Sequence, residues 1–257
     1  MQSNYKYIAF ETILVKEVRR FARIWVQTLV PPAITIGLYF MIFGNLIGRR
    51  IGDMGGYDYM DFIVPGLVMM AVIQNSYANV VSSFFSQKFQ RSIEELLVSP
   101  VPNYVILCGF VAGGVARGLA VGIIVMLMSF AFTDLNIHNY SITILVVLMT
   151  AVVFSLAGFL NALFANSFDD ISIIPTFVLT PLIYLGGVFY SVEMLPAAGK
   201  FVSSLNPIFY MVNTFRFGIL GASDVNIYVS LGMLALFVLI LFVACILLLR
   251  KGTGLRH

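Results

Sequence analysis

A chain of 257 residues that is 60% hydrophobic, 14% aromatic and only 11% charged has too little polar surface to cover a soluble fold, and so belongs in a bilayer. Its net charge of +3 is small, and its basic residues never gather with aromatics into a polar module, which excludes a nucleic-acid partner. The two cysteines, Cys108 and Cys245, lie far apart inside apolar runs, and the two histidines, His138 and His257, stand alone, so neither a disulfide framework nor a metal site is expected.

The chain opens on YKYIAFETILVKEVRRFARIW, residues 5–25, in which Phe10, Leu14, Val18, Phe21 and Trp25 recur at spacings of three and four while the charges fall largely elsewhere. This predicts an amphipathic helix on the inner leaflet, its basic side chains toward anionic lipid and Trp25 at the interface. The segment has no small-residue cleavage site after a short apolar core, so it reads as retained rather than as a signal peptide.

A spanning helix needs about 20 apolar residues, since roughly 1.5 Å of rise each must cross about 30 Å of hydrocarbon. Six runs qualify: Ile24 to Phe43, Phe62 to Phe85, Tyr104 to Phe132, Ile142 to Phe164, Ile171 to Tyr190 and Val229 to Leu249. With both termini inside, the inner segments hold ten Lys and Arg and the outer segments four, Arg49, Arg50, Lys200 and Arg216, which favours cytoplasmic termini.

Within the second span Asn75, Asn79, Ser82 and Ser86 form a polar stripe that either lines a passage or hydrogen-bonds a neighbouring helix. FQRSIEELLVSPVP, residues 89–102, then places a short amphipathic helix between spans two and three. Ser92 and Glu95 have capping-box spacing, Pro100 and Pro102 end the helix, and Arg91, Glu94 and Glu95 lie opposite Ile93, Leu96 and Leu97. Two turns alone in water are unstable, so the element either connects two spans at the interface or docks on a partner.

The third span carries Gly109, Gly113, Gly114, Gly118 and Gly122, overlapping small-residue spacings that admit a close neighbour, with Arg117 among them as a buried charge in need of a partner. The inner turn after span four, Phe168-Asp169-Asp170, is a second cytoplasmic element, either a contact or a solvated acidic turn. From Pro175 to Arg216 the helical pattern is broken by Pro175, Pro181, Gly186, Gly187, Pro196 and Pro207, which predicts a pair of short helices dipping into the outer leaflet after span five.

The order Leu179, Leu182, Leu185-Gly186, Val188, Leu195-Pro196, Pro207-Ile208, Tyr210 and Arg216 resembles the signature of ABC-2 type transporter permeases, the membrane subunits of ATP-driven exporters. RIWVQTLVPP, FIVPGLVMM, FQRSIEELLVSPVP, FDDISIIPTFVLTPL and GGVFYS are also similar to the YadH-type branch of that family. The resemblance implies an all-α polytopic membrane protein in a bacterial inner membrane: a connecting helix over 1–23, a six-helix domain over 24–249 and a cytoplasmic tail over 250–257. It also implies that Arg91, Ser92, Glu94, Glu95, Leu96 and Leu97 form a coupling helix against an ATP-binding subunit. Phe168, Asp169 and Asp170 would add a contact, and Phe10, Leu14, Val18 and Phe21 would carry the connecting helix.

No G-x-x-x-x-G-K-[ST] pattern occurs, so the chain is expected to be no enzyme, with ATP and Mg held by two copies of a partner subunit. Six helices enclose little volume, so a second copy of the chain is expected to complete a passage for an amphipathic or lipid-linked cargo. A secondary transporter normally buries carboxylates in its spans, whereas all twelve acidic residues here read as lying in or near connections. That alternative and a membrane scaffold remain beside the exporter.

Overall fold

A computed structural model describes residues 2–252 and 254, with the side chains of residues 2–4, 45, 46, 49 and 97 outside that description. His257 and half of the expected tail fall outside it, and Leu97 is placed by its backbone alone. The chain is helical almost throughout. Among the described residues five helices are long and apolar enough to cross a membrane: Trp25–Gly44, Tyr59–Phe89, Asn103–Ser129, Tyr140–Phe164 and Ile227–Lys251.

The N-terminal helix α1 (Gln2–Arg23) leads into the first spanning segment, built from α2 (Trp25–Thr28), α3 (Val30–Tyr39), a π-helical stretch (Phe40–Ile47) and α4 (Gly48–Ile51). Pro31 and Pro32 sit in the first turn of α3, where a missing amide hydrogen leaves no bond broken. An unexpected hairpin follows, β1 (Asp53–Met54) paired with β2 (Tyr57–Asp58) across Gly55 and Gly56, both at positive φ. The glycine pair was the readable signal for this turn. Helix α5 (Tyr59–Phe89) is 31 residues long and outruns the predicted second span at both ends. It is buried along nearly its whole length and serves as the central post.

Helix α6 (Ser92–Val98) is followed by α7 (Asn103–Ser129) and α8 (Tyr140–Phe164), which close around α5. One ring from each meets in the core: Phe84 lies 4.2 Å from Phe159 and 5.3 Å from Phe110, centroid to centroid, contacts worth about 0.5–1.5 kcal/mol each beyond burial. The glycines of α7 serve three neighbours, α1, α5 and, through Ser155 beside Gly114, α8. A β-carbon at Gly109 or Gly113 would fall 2.6 Å from Ile13 Cγ2 or 2.5 Å from Glu17 Cβ, whereas one at Gly114 would fall 2.5 Å from Val80 Cγ2 on α5.

Consequently one face of α1 is covered by α7. It runs beside the first turns of α7 in the same direction, from Lys6, whose Nζ is 6.0 Å from the Tyr104 ring, to Glu17 at Gly113.

The fifth apolar run is shorter than expected. It forms α9 (Asp170–Ile174), a π turn (Pro175–Leu179) and α10 (Thr180–Leu185), 16 residues in all. At 1.5 Å per residue this rises only about 24 Å. The proline removes one amide donor, and the Thr180 hydroxyl donates to the Pro175 carbonyl at 2.9 Å. Gly187, at φ 73°, turns the chain out of the helix before Tyr190. The expected pair of short helices is present as α11 (Ala197–Ser204) and α12 (Pro207–Leu220), followed by the long α13 (Ile227–Lys251). Helix α12 is wedged between α5 and α8, burying Ile208, Met211, Val212 and Phe215.

Candidate functional site

The short helix singled out in the sequence stands at the end of the bundle where α1, α6 and the turn before α9 meet. It leaves α5 through Arg91, at φ 60° and ψ 5°, and this conformation decides how it starts. Gln90 closes α5 and Arg91 follows it just before α6, so Ser92 is the first residue inside the helix and not its cap. The predicted Ser92–Glu95 capping box therefore does not form: the Ser92 hydroxyl turns back and donates to the Gln87 carbonyl at 3.3 Å. Every other left-handed position among the described residues is a glycine. A side chain in this region costs roughly 1–2 kcal/mol that glycine does not incur.

The amphipathic split is as predicted. Ile93 is 1% exposed and Leu96 packs on the core, whereas Arg91, Glu94 and Glu95 face outward. The Ser99 hydroxyl donates to the Leu96 carbonyl at 2.6 Å and closes the last turn before Pro100.

A reciprocal cap forms instead at the second predicted element. The Ser167 Oγ accepts from the Asp170 amide at 3.2 Å, and Asp170 Oδ2 accepts from the amides of Asn166 and Ser167 at 2.8 and 3.0 Å. Asp170 is thus spent on its own backbone, while Phe168 and Asp169 remain exposed. The Phe168 ring lies 5.0 Å from both Phe85 and Phe89, which brings this turn against the last turn of α5, beside Arg91. Lys88 completes the attachment by donating to the carbonyls of Leu163 and Ala165 at 2.8 and 2.7 Å.

Replacing Lys88 by Met is expected to release that turn. The two carbonyls lose a charged donor worth about 1–3 kcal/mol, and amide exchange over residues 166–170 should accelerate accordingly while exchange in the core of α8 does not change. Hydrogen–deuterium exchange of the purified chain reads both.

The third wall is α1. Phe21 is buried and Phe10, Leu14 and Val18 are partly so, but the innermost line is Ile13, Glu17 and Phe21, spaced every four residues. The sequence reading missed Ile13 and Glu17, because a carboxylate in the stripe reads as solvent-facing. The matching signal was Gly109 and Gly113, also four apart on α7. Glu17 is 0% exposed, which corrects the expectation that it lies with the other charges away from the apolar face of this helix.

Its charge is held by protein. Ser83 donates to Glu17 Oε1 at 2.6 Å, Arg20 Nη2 lies 3.4 Å from Oε2, and Arg20 donates to Asn79 Oδ1 and the Asn79 carbonyl at 2.8 and 2.9 Å. One turn along, Arg117 donates to Asn75 Oδ1 at 3.2 Å and approaches the Thr28 carbonyl at 3.5 Å. Arg117 thereby gains the partner it required, at the level of the joint between α1 and the first span. Asn75 and Asn79 of the polar stripe meet these two arginines, and Ser82 donates to the Asn79 carbonyl at 3.2 Å.

Between α1 and α6 lies a groove of about 360 Å³, with Thr12, Ile13 and Lys16 on one side and Glu95, Leu96 and Ser99 on the other. At the same end of the bundle the apolar side chains Phe89, Phe168 and Val98 are 62%, 50% and 87% exposed. This end of the bundle is a mixed apolar and charged platform.

Residues 8–220 match the family model for ABC-2 type transporter. The chain is 58% identical over 250 residues to the inner membrane transport permease YadH of Escherichia coli (strain K12), covering 97% of this chain and 98% of that one. It is 25% identical over 233 residues to nodulation protein J of Neorhizobium galegae, 86% of this chain and 87% of the relative. Nodulation protein J of Rhizobium meliloti (strain 1021) is 24% identical over 217 residues, 83% and 82% of the two chains.

Proposed function

The chain belongs to the ABC-2 type transporter family, and from that premise we propose that it is the inner-membrane permease subunit of an ATP-driven exporter, working as a dimer with separate ATP-binding subunits. In this reading α6 is the coupling helix and α1 the connecting helix. The 16-residue Asp170–Leu185 helix is a short sixth span, and α11 and α12 dip into the outer leaflet. Both termini lie in the cytoplasm, as the distribution of Lys and Arg favours.

One observation carries the proposal: the α6 end of the bundle exposes Phe89, Val98 and Phe168 beside Arg91, Glu94 and Glu95. Apolar side chains grouped among charges mark a protein contact. The lock between this face and the spans supports the same reading. Phe168 and Lys88 tie the inner turn to α5, and Glu17 and Arg20 tie α1 to α5, so a push on the platform moves the central post.

Closure of two ATP-binding subunits would draw the paired α6 helices together and tilt the spans. An amphipathic or lipid-linked cargo would then pass between the two copies toward the outer side, Asn75, Asn79 and Ser82 becoming available to it only where Arg20 and Arg117 release them.

The test is co-purification. The native chain should bring down a stoichiometric ATP-binding protein, and Glu94→Lys combined with Glu95→Lys should lose it while the chain remains folded. Ion-driven uptake by the chain alone in liposomes would mark a secondary transporter instead. Recovery of neither ATPase nor transport would mark a scaffold.

A further inference from the structure

We infer that Arg91 is the charged anchor of the platform, seated on a carboxylate of the ATP-binding subunit, and that its strained backbone is retained for that contact. The assignment rests on the exporter reading above. Three features of the position lead to it.

Arg91 occupies the place just past the C-terminus of α5, which helices commonly fill with a left-handed glycine, and the chain does place glycine at its seven other left-handed positions among the described residues. It is also the residue that opens α6, where Ser, Thr, Asp, Asn or Gly supply what the first amides need and arginine supplies nothing. On both counts the fold of this chain alone favours a different residue.

The side chain returns nothing inside the chain. Arg91 is exposed, and among the described residues its guanidinium makes no hydrogen bond, ion pair or stacking contact. A cation at this point is welcomed by the C-terminal dipole of α5 and opposed by the N-terminal dipole of α6, so helix electrostatics nearly cancel. What remains is a planar, fivefold donor exposed on a face that also presents Phe89 and Val98. Arginine with these surroundings is the residue type that anchors interfaces, and its fork fits a carboxylate in two-bonded geometry. Glu94 and Glu95 lie outward beside it, so the complementary surface would carry a carboxylate opposite Arg91 and cations opposite the glutamates.

The experiment measures affinity between the ATP-binding subunit recovered with the native chain and the permease in phosphatidylcholine nanodiscs, over a range of salt. Arg91→Gly relaxes the backbone, so the permease alone should melt no lower than native. Its affinity for the subunit should nevertheless fall at least about tenfold, with a shallower salt dependence, and Arg91→Lys should recover only part of it.

Binding of Arg91→Gly within about twofold of native would overturn the anchor, as would a lower melting temperature, which would make Arg91 a structural residue. A loss seen only in nanodiscs containing anionic lipid would also overturn it, since the contact would then be a headgroup. Glu94→Lys with Glu95→Lys separates the two levels. If that pair weakens binding and Arg91→Gly does not, the coupling face stands without this anchor; if neither does, the exporter reading itself fails.

Discussion

Gly118→Leu is expected to prevent the bundle from closing. A β-carbon at this position would collide with the Ser76 hydroxyl and sit 3.2 Å from both Ser76 Cβ and the Val72 carbonyl oxygen, so even alanine forces a side chain to turn and leucine meets main chain. Helices α5 and α7 would have to separate along their shared face, displacing the Phe84, Phe110 and Phe159 cluster below it. Overpacking a core typically costs about 1–3 kcal/mol, and a leucine against main chain falls at the upper end of that range.

The expected readout is loss of the monodisperse peak in detergent and little protein in the membrane fraction, with Gly118→Ala intermediate. Gly232→Leu is the control, because a β-carbon there meets nothing within 4 Å. Equal behaviour of the 118 and 232 variants would show that the α5–α7 contact is not the one that holds the bundle.

The second large effect is expected at the end of the bundle opposite α6. Arg216 is 2% exposed, donates to the Gly187 carbonyl at 2.7 Å, and lays its guanidinium 3.8 Å from the centre of the Phe62 ring. One side chain thus joins α12, the turn that ends α10, and α5. Arg216→Ala leaves a buried carbonyl unpaired, at about 1–3 kcal/mol, and removes a desolvated cation–π contact worth about 2 kcal/mol.

A melting temperature several degrees lower is expected, with faster exchange in residues 186–190 and 207–220 than elsewhere. Arg216→Lys should not rescue, because an ammonium cannot lie flat on the ring while reaching the carbonyl. Arg216→Met tests the burden of the charge itself. If Met melts higher than native, burying the cation costs more than its contacts return, and Arg216 is kept for function.

The buried carboxylate of Glu17 bears on mechanism as well. It is the feature that a gradient-driven transporter would use, yet its oxygens face Ser83 and Arg20. A carboxylate paired in this way holds helices together, and the partner subunit remains the source of energy in the proposed reading.

How much of this was legible depended on the range of the interaction. The split of α6 into Ile93 and Leu96 inside and Glu94 and Glu95 outside follows from helical spacing, and so does the short pair α11 and α12 from Pro196 and Pro207. The capping box was assigned to Ser92 when it belonged to Ser167, because the motif S-x-x-[DE] occurs at both places and only the path of the chain through Arg91 disqualifies the first. The fifth run was read at full length because hydropathy does not register that Gly187 leaves the helix.

Length and apolar content alone determined that this protein lives in lipid, where each hidden backbone group must be bonded within its own helix, and that rule converts composition directly into helices. Spacing along each helix then determined which side is greasy. Which polar groups meet was decided only by the tertiary structure: Glu17 with Ser83, Arg20 with Asn79, Arg117 with Asn75 and Arg216 with Gly187 are contacts between residues far apart in the chain. Such pairs have no periodic signature. They are settled by which glycine-lined faces let two helices approach closely enough for short polar side chains to touch.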